Sequence, residues 1–141
     1  MLQARRINDQ IAVSPQIRIE DVAEIAAAGY KSIVCNRHDD EEPSQLKYAE
    51  IEAEAKKHGL EMRWQPVVSG GFEDEQVRVF GELAEALPAP LFAYCRSGTR
   101  SVVLWALSQA GKRPTADILR EAAAAGYDLS GLAPRLEALA S

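Results

Sequence analysis

Pro90-Leu91-Phe92-Ala93-Tyr94-Cys95-Arg96-Ser97-Gly98-Thr99-Arg100-Ser101 is the stretch that decides how this chain is read. An apolar run ends abruptly in a cysteine, small residues and two arginines follow, and Val102 to Ala110 is strongly apolar again. The pattern predicts a buried strand, a tight loop and a buried helix whose first turn points at the thiol. Main-chain N–H groups and the positive end of the helix dipole would then converge on the sulfur. Such surroundings turn a thiol into a thiolate nucleophile.

Each loop residue has an expected part in this device. Ser97, Gly98 and Thr99 are small enough for the backbone to curl into a nest of N–H donors around an anion, with Gly98 supplying a positive φ. Arg100 adds a forked, permanently charged clamp, its alternative use being an ion pair with a surface acid. Ser101 is expected to donate its hydroxyl to the Cys95 sulfur, and Arg96 to project outward from the rim. The reading requires an ionised sulfur that solvent can reach.

Outward from the loop, short strand-like and helix-like segments alternate. Arg6-Ile7 and Gln10 to Val13 flank Asn8-Asp9, a two-residue hairpin turn. Ile19 to Ala28 has helical periodicity and stops at Gly29. Ser32 to Cys35 is a strand, Asn36 to Ser44 a polar loop, Gln45 to Lys57 a helix ended by His58-Gly59, and Glu61 to Val67 a strand. Val77, Phe80, Ala84 and Leu87 line one face of a helix over 73–87, which Pro88 and Pro90 prevent from continuing. Two helices, about 116–125 with Thr115 as N-cap and 132–140, close the chain. Strands alternating with helices predict an α/β fold: a short, mostly parallel sheet of four to five strands with helices on both faces. Ligands in such folds bind at the carboxyl ends of the strands, where the Cys95 loop falls.

The 141 residues suffice for one domain, 1–141, with little room for a second. A net charge of −5 argues against nucleic acid or a membrane surface as partner, so any positive field is local to Arg96 and Arg100. No apolar run approaches a bilayer span, and the N-terminus lacks the apolar stretch of a secretory signal. The expected compartment is cytoplasmic, where Cys35 and Cys95 stay reduced.

Cys-Arg-Ser-Gly-Thr-Arg-Ser resembles the active loop of the cysteine-dependent phosphatases and rhodaneses. The phosphatase signature carries one residue more between cysteine and arginine than the Arg96-Ser97-Gly98-Thr99 of this chain, so the loop length is similar to that of rhodanese sulfurtransferases. The rest resembles a small dual-specificity phosphatase, with a late cysteine strand and closing helices. Together these features resemble the phosphatase-like sulfurtransferase family named after a beta-lactamase-hydrolase-like protein and associated with persulfide dioxygenases. The matching blocks are Ile11 to Ile17, Asn36-Arg37 with Glu41-Glu42-Pro43, Pro66-Val67 with Gly70-Gly71, and Ala93 to Ser101, covering about residues 5–111. Cys35 and His38 stand where the family usually has Asn and Pro, and Tyr94 replaces the histidine that precedes the cysteine in phosphatases.

The resemblance implies a Cys95 persulfide that carries sulfane sulfur from thiosulfate or a persulfide to a thiol or cyanide. The alternative is a phosphatase acting on a phosphate ester through a cysteinyl-phosphate, and a second alternative is a non-catalytic, redox-sensing thiol domain. Phosphatases need an acid to protonate the leaving group. The acids in the loop entering the 73–87 helix are Glu73 and Asp74, both also favoured there by the helix N-terminus. Asp74 is thus the possible general acid. A narrow cradle and the absence of a clear acid favour sulfur. Cys35 reads first as core filling. The superfamily's backdoor cysteines also imply a possible redox partner for Cys95. His38-Asp39-Asp40-Glu41-Glu42 lacks metal-ligand spacing and reads as a solvated loop. No metal or other cofactor is expected. Trp64 and Trp105 read as core, and residues 36–44 and 68–74 as the rim that sets specificity.

Overall fold

The computed structural model describes residues 2–141. Five strands form one sheet in the order β1-β2-β5-β3-β4. These are β1 (Arg5–Arg6), β2 (Ile11–Ser14), β3 (Ser32–Cys35), β4 (Glu61–Trp64) and β5 (Leu91–Tyr94). β1 runs antiparallel to β2, and every other pairing is parallel. The expected α/β sheet with helices on both faces is present. The N-terminal hairpin also forms, but its connection spans Ile7 to Gln10, longer than the turn expected at Asn8-Asp9.

Side-chain alternation along the strands divides the core in two. Phe92 and Tyr94 of β5 face α1 (Ile19–Ala27) and α2 (Tyr48–Lys57), packing with Ile17, Val22, Ile25 and Ile51. Ala93 faces the other way, toward α3 (Asp74–Ala86), α4 (Thr99–Ser108), α5 (Thr115–Ala124) and α6 (Ala133–Ala140). Phe80, Leu104, Leu107, Ile118 and Leu136 fill that larger half. β2, β3 and β5 are buried along their whole length, as parallel strands covered on both faces must be.

Other local expectations change as well, the strand expected over Glu61 to Val67 ending at Trp64. α2 begins at Tyr48 and not Gln45, because Glu50 accepts the Lys47 N–H in a capping box and Asp39 accepts the Tyr48 N–H. Thr115 is the first residue of α5, and Pro114 holds the cap position. Trp64, expected in the core, is 43% exposed because β4 is the sheet edge. Its ring stacks on Tyr48 at 4.8 Å and its Nε1 donates to the Arg37 carbonyl. Trp105 is buried as expected. None of the described helices is long and apolar enough to cross a membrane.

Candidate active site

Cys95 follows β5 directly, at the carboxyl edge of the sheet, and α4 begins at Thr99. Between them the chain reverses through Gly98, whose φ of 91° is left-handed. Tyr127 packs directly over the position a Gly98 side chain would take. That turn aims the Gly98 N–H at the Cys95 sulfur, 3.1 Å away. The loop is tethered from below by Cys95 N to Ser14 O and by Gln16 N to Arg96 O. From above, Tyr127 donates its hydroxyl to Ser97 O at 3.2 Å. Ser97 and Thr99 bond to each other through their hydroxyls and are exposed.

The sulfur is less open than the sequence leads one to expect. Cys95 is wholly buried, because the loop closes down on it and Gly98 N–H occupies its outer side. The expected hydrogen bond from Ser101 is absent: its hydroxyl donates 2.8 Å to Asn36 Oδ1. Asn36 explains this, since it is fully buried at the junction of three elements. Its N–H reaches Tyr94 O, its carbonyl accepts from Val67 N, and its Nδ2 donates to Gln65 O. Ser101 therefore positions the start of α4 and does not touch the sulfur.

Arg100 makes the ion pair that was the alternative use expected of it. Its two terminal nitrogens form a fork with Glu41, Nη1 at 2.7 Å from Oε2 and Nη2 at 2.8 Å from Oε1, and Nη1 also donates to Val67 O. The Glu41 hydrogen bonds raise the guanidinium pKa against the opposing cost of burial, and the nearby Cys95 sulfur adds to that effect. Glu41 is correspondingly held at about 2, chiefly by Arg100, with Arg37 and the His38 N–H assisting against burial. Arg37 is itself buried, with Nε on Glu41 and Nη1 on Gln16 Oε1. Arg96 projects outward as expected and pairs with Glu42 at 2.8 Å. The acidic run read as a solvated loop is thus folded down onto the site's arginines. No cluster that could hold a metal occurs among the described residues.

These residues surround an open cavity of about 740 Å³, lined by His38, Glu41, Val68, Ser69, Arg96, Ser97, Thr99 and Arg100. Both rim segments expected to set specificity contribute. Asp74 does not: it is exposed, pairs with Arg135 at 3.1 Å and lines a different groove, beside α3 and α6. Cys35 is a free, buried thiol of the α1/α2 half of the core, whereas Cys95 follows β5 in the opposite phase. The two thiols are not joined by a disulfide.

Asn36, Gln16 and Tyr127 carry the loop, and none stood out from the sequence as a site residue. Glu41 had a signal, its i,i+4 spacing from Arg37 in an acid-rich loop at the carboxyl edge.

With a buried cysteine at a helix N-terminus and an arginine beside it, the family model for "Beta-lactamase hydrolase-like protein, phosphatase-like domain" matches residues 3–112. The chain belongs to this family. It is 30% identical over 138 residues to the beta-lactamase hydrolase-like protein of Agrobacterium fabrum, covering 96% of this chain and 32% of that one. The chain thus spans about a third of the length of that curated relative. A candidate phosphatase of Neisseria meningitidis has a structure similar at a TM-score of 0.85 with 34% identity, covering 95% of this chain and 96% of that one. The kinase associated phosphatase, crystallised with its catalytic site cysteine replaced by serine, shares the fold at a TM-score of 0.71 and 13% identity, covering 96% and 92%. The fold is that of the dual-specificity-phosphatase-like proteins. Tyr127, which pins the loop, lies beyond the matched residues.

Proposed function

We propose that this domain is a cysteine-dependent phosphatase that cleaves phosphate monoesters through a Cys95 cysteinyl-phosphate. The carrying observation is the Gly98 N–H aimed at the Cys95 sulfur at the start of α4, with Arg100 alongside. A main-chain donor and a guanidinium together stabilise negative charge on the sulfur and then on the oxygens of the group transferred to it. Membership of a phosphatase-like family supports phosphate over sulfur as the transferred centre.

In this mechanism the substrate dianion enters the cavity and competes with Glu41 and Glu42 for Arg100 and Arg96. Arg96 and Ser97, exposed on the crest of the loop, lie between that cavity and the buried sulfur's strand. Cys95 attacks phosphorus in line, the ester oxygen departs, and water releases inorganic phosphate from the thiophosphate ester. Glu41 keeps the remaining guanidinium edge in register throughout.

Sulfur transfer is the second reading, and one feature favours it: Arg96-Ser97-Gly98-Thr99 is one residue short of the phosphatase loop. A parallel assay of p-nitrophenyl phosphate hydrolysis and thiosulfate:cyanide sulfur transfer tests the choice, with wild type and Cys95→Ser. Phosphate release that depends on Cys95 is expected. Thiocyanate formation without phosphate release would reverse the assignment.

A further inference from the structure

We propose that His38 is the proton donor to the leaving group, a deduction that rests on the phosphatase reading. Ester cleavage expels an alkoxide or phenoxide, which needs a proton as the P–O bond breaks. The cavity wall must supply it, and the carboxylates there are committed. Glu41 is forked on Arg100, bonded to Arg37 and held ionised. Glu42 is paired with Arg96. Asp39 accepts the Tyr48 N–H and Asp40 pairs with Lys47, both at the start of α2. The β4–α3 connection, where Asp74 was the candidate, presents only Val68 and Ser69 to the cavity.

His38 is what remains. It lines the same cavity as Arg96, Arg100 and the loop hydroxyls, and its ring forms no hydrogen bond among the described residues. Its backbone is nonetheless fixed at both ends, the N–H by Glu41 Oε2 at 3.1 Å and the carbonyl by Gln45 Nε2 at 2.8 Å. An imidazole without hydrogen-bond partners among the described residues, on an anchored main chain beside the arginines of the cavity, can donate and accept a proton there. The late start of α2 serves this arrangement, because Gln45 stays outside the helix and ties the His38 carbonyl.

The steps balance without a further reagent. The Cys95 thiolate forms the S–P bond, the P–O bond breaks, and the leaving oxygen takes its proton from the His38 imidazolium. Neutral His38 then accepts a proton from the water that attacks phosphorus. The S–P bond breaks, Cys95 returns as thiolate, and inorganic phosphate leaves.

The test compares phenyl phosphate, a poor leaving group, with p-nitrophenyl phosphate, a good one, in wild type, His38→Gln and Asp74→Asn. His38→Gln should lower kcat/KM, which reports the step that expels the leaving group, by roughly 100-fold on phenyl phosphate and by about tenfold less than that on p-nitrophenyl phosphate. Equal losses on both esters would mark a structural role and overturn the proposal, as would no loss on phenyl phosphate. A leaving-group-selective loss in Asp74→Asn and not in His38→Gln would move the proton to Asp74. Wild type that releases no Cys95-dependent phosphate from either ester would sink the phosphatase reading itself, and His38's part with it. His38 is exposed, so matching thermal unfolding of wild type and variant separates chemistry from folding.

Discussion

Cys35 and Cys95 sit at the carboxyl ends of neighbouring parallel strands, both buried and both free, yet their surroundings are opposite in polarity. The Cys35 thiol donates to the Arg37 carbonyl at 3.4 Å among apolar neighbours. Burial pushes its pKa up to about 11, overriding the opposing hydrogen bonds of Tyr94 and the Arg37 backbone. The Cys95 sulfur instead accepts the Gly98 N–H and has Arg100 beside it. Burial is common to both and so cannot be what distinguishes them. After Cys35 the backbone turns a carbonyl toward the sulfur; after Cys95 the left-handed Gly98 turns an N–H toward it. The two sulfurs differ in the peptide group each one meets, a carbonyl for Cys35 and an N–H for Cys95, which the residues following each cysteine determine.

The largest effect should come from exchanging each sulfur for oxygen. Cys95→Ser is expected to reduce turnover by roughly 10⁴-fold or more, while Cys35→Ser stays within about twofold of wild type. Comparable losses in the two variants would break the contrast. Arg100→Lys keeps the charge but loses the fork, and kcat should fall by roughly 100- to 1000-fold. A loss confined to KM would mean that Arg100 binds substrate without stabilising the transition state.

Gly98 sharpens the comparison at its hinge. Gly98→Ala forces a side chain into left-handed backbone and against the Tyr127 hydroxyl, and chemical denaturation should show a loss of about 1–3 kcal/mol. Tyr127→Ala in that background should recover the steric part and leave the backbone part. Full recovery would show that φ at Gly98 is of no consequence.

The smallest effect belongs to the acidic loop. Glu41 is held at about 2, against an ordinary value of 4.5 in the unfolded chain. The unfolded state therefore binds a proton first as pH falls, so the contribution of Glu41 is complete above 4.5 and is lost as pH drops toward 2. Glu41→Gln should lower stability at neutral pH by about 1–2 kcal/mol, less than for a fully buried pair because Glu41 is partly exposed. It should also flatten that acid window in thermal melts, and a variant with the wild-type pH slope would contradict the assignment.

Most of the scaffold was legible because it depends on local pattern. The apolar run before Cys95, the apolar helix after it and the proline stop after α3 each follow from neighbours in sequence. The loop itself was legible because small residues and two arginines beside a cysteine have few other uses. What lay hidden depends on long-range contact. Ser101 could be placed at the first helical turn, but its choice of Asn36 over the sulfur follows from Asn36 tying β5 to the β4–α3 connection. Tyr127 reaches Ser97 only after α5 has folded back across the sheet. Trp64 looked like core as a large aromatic in the middle of an expected strand, and its place at the edge is a property of strand order. The acidic run showed its charge but not its partners, which come from a loop far along the chain.

Quenching the protein during incubation with p-nitrophenyl phosphate, followed by peptide mass spectrometry, tests most directly whether Cys95 is the nucleophile. A phosphoryl adduct on the Cys95 peptide, absent from the Cys35 peptide and from Cys95→Ser, is the predicted result. Steady phosphate release with that peptide unmodified, or an adduct of sulfur in place of phosphate, would contradict it.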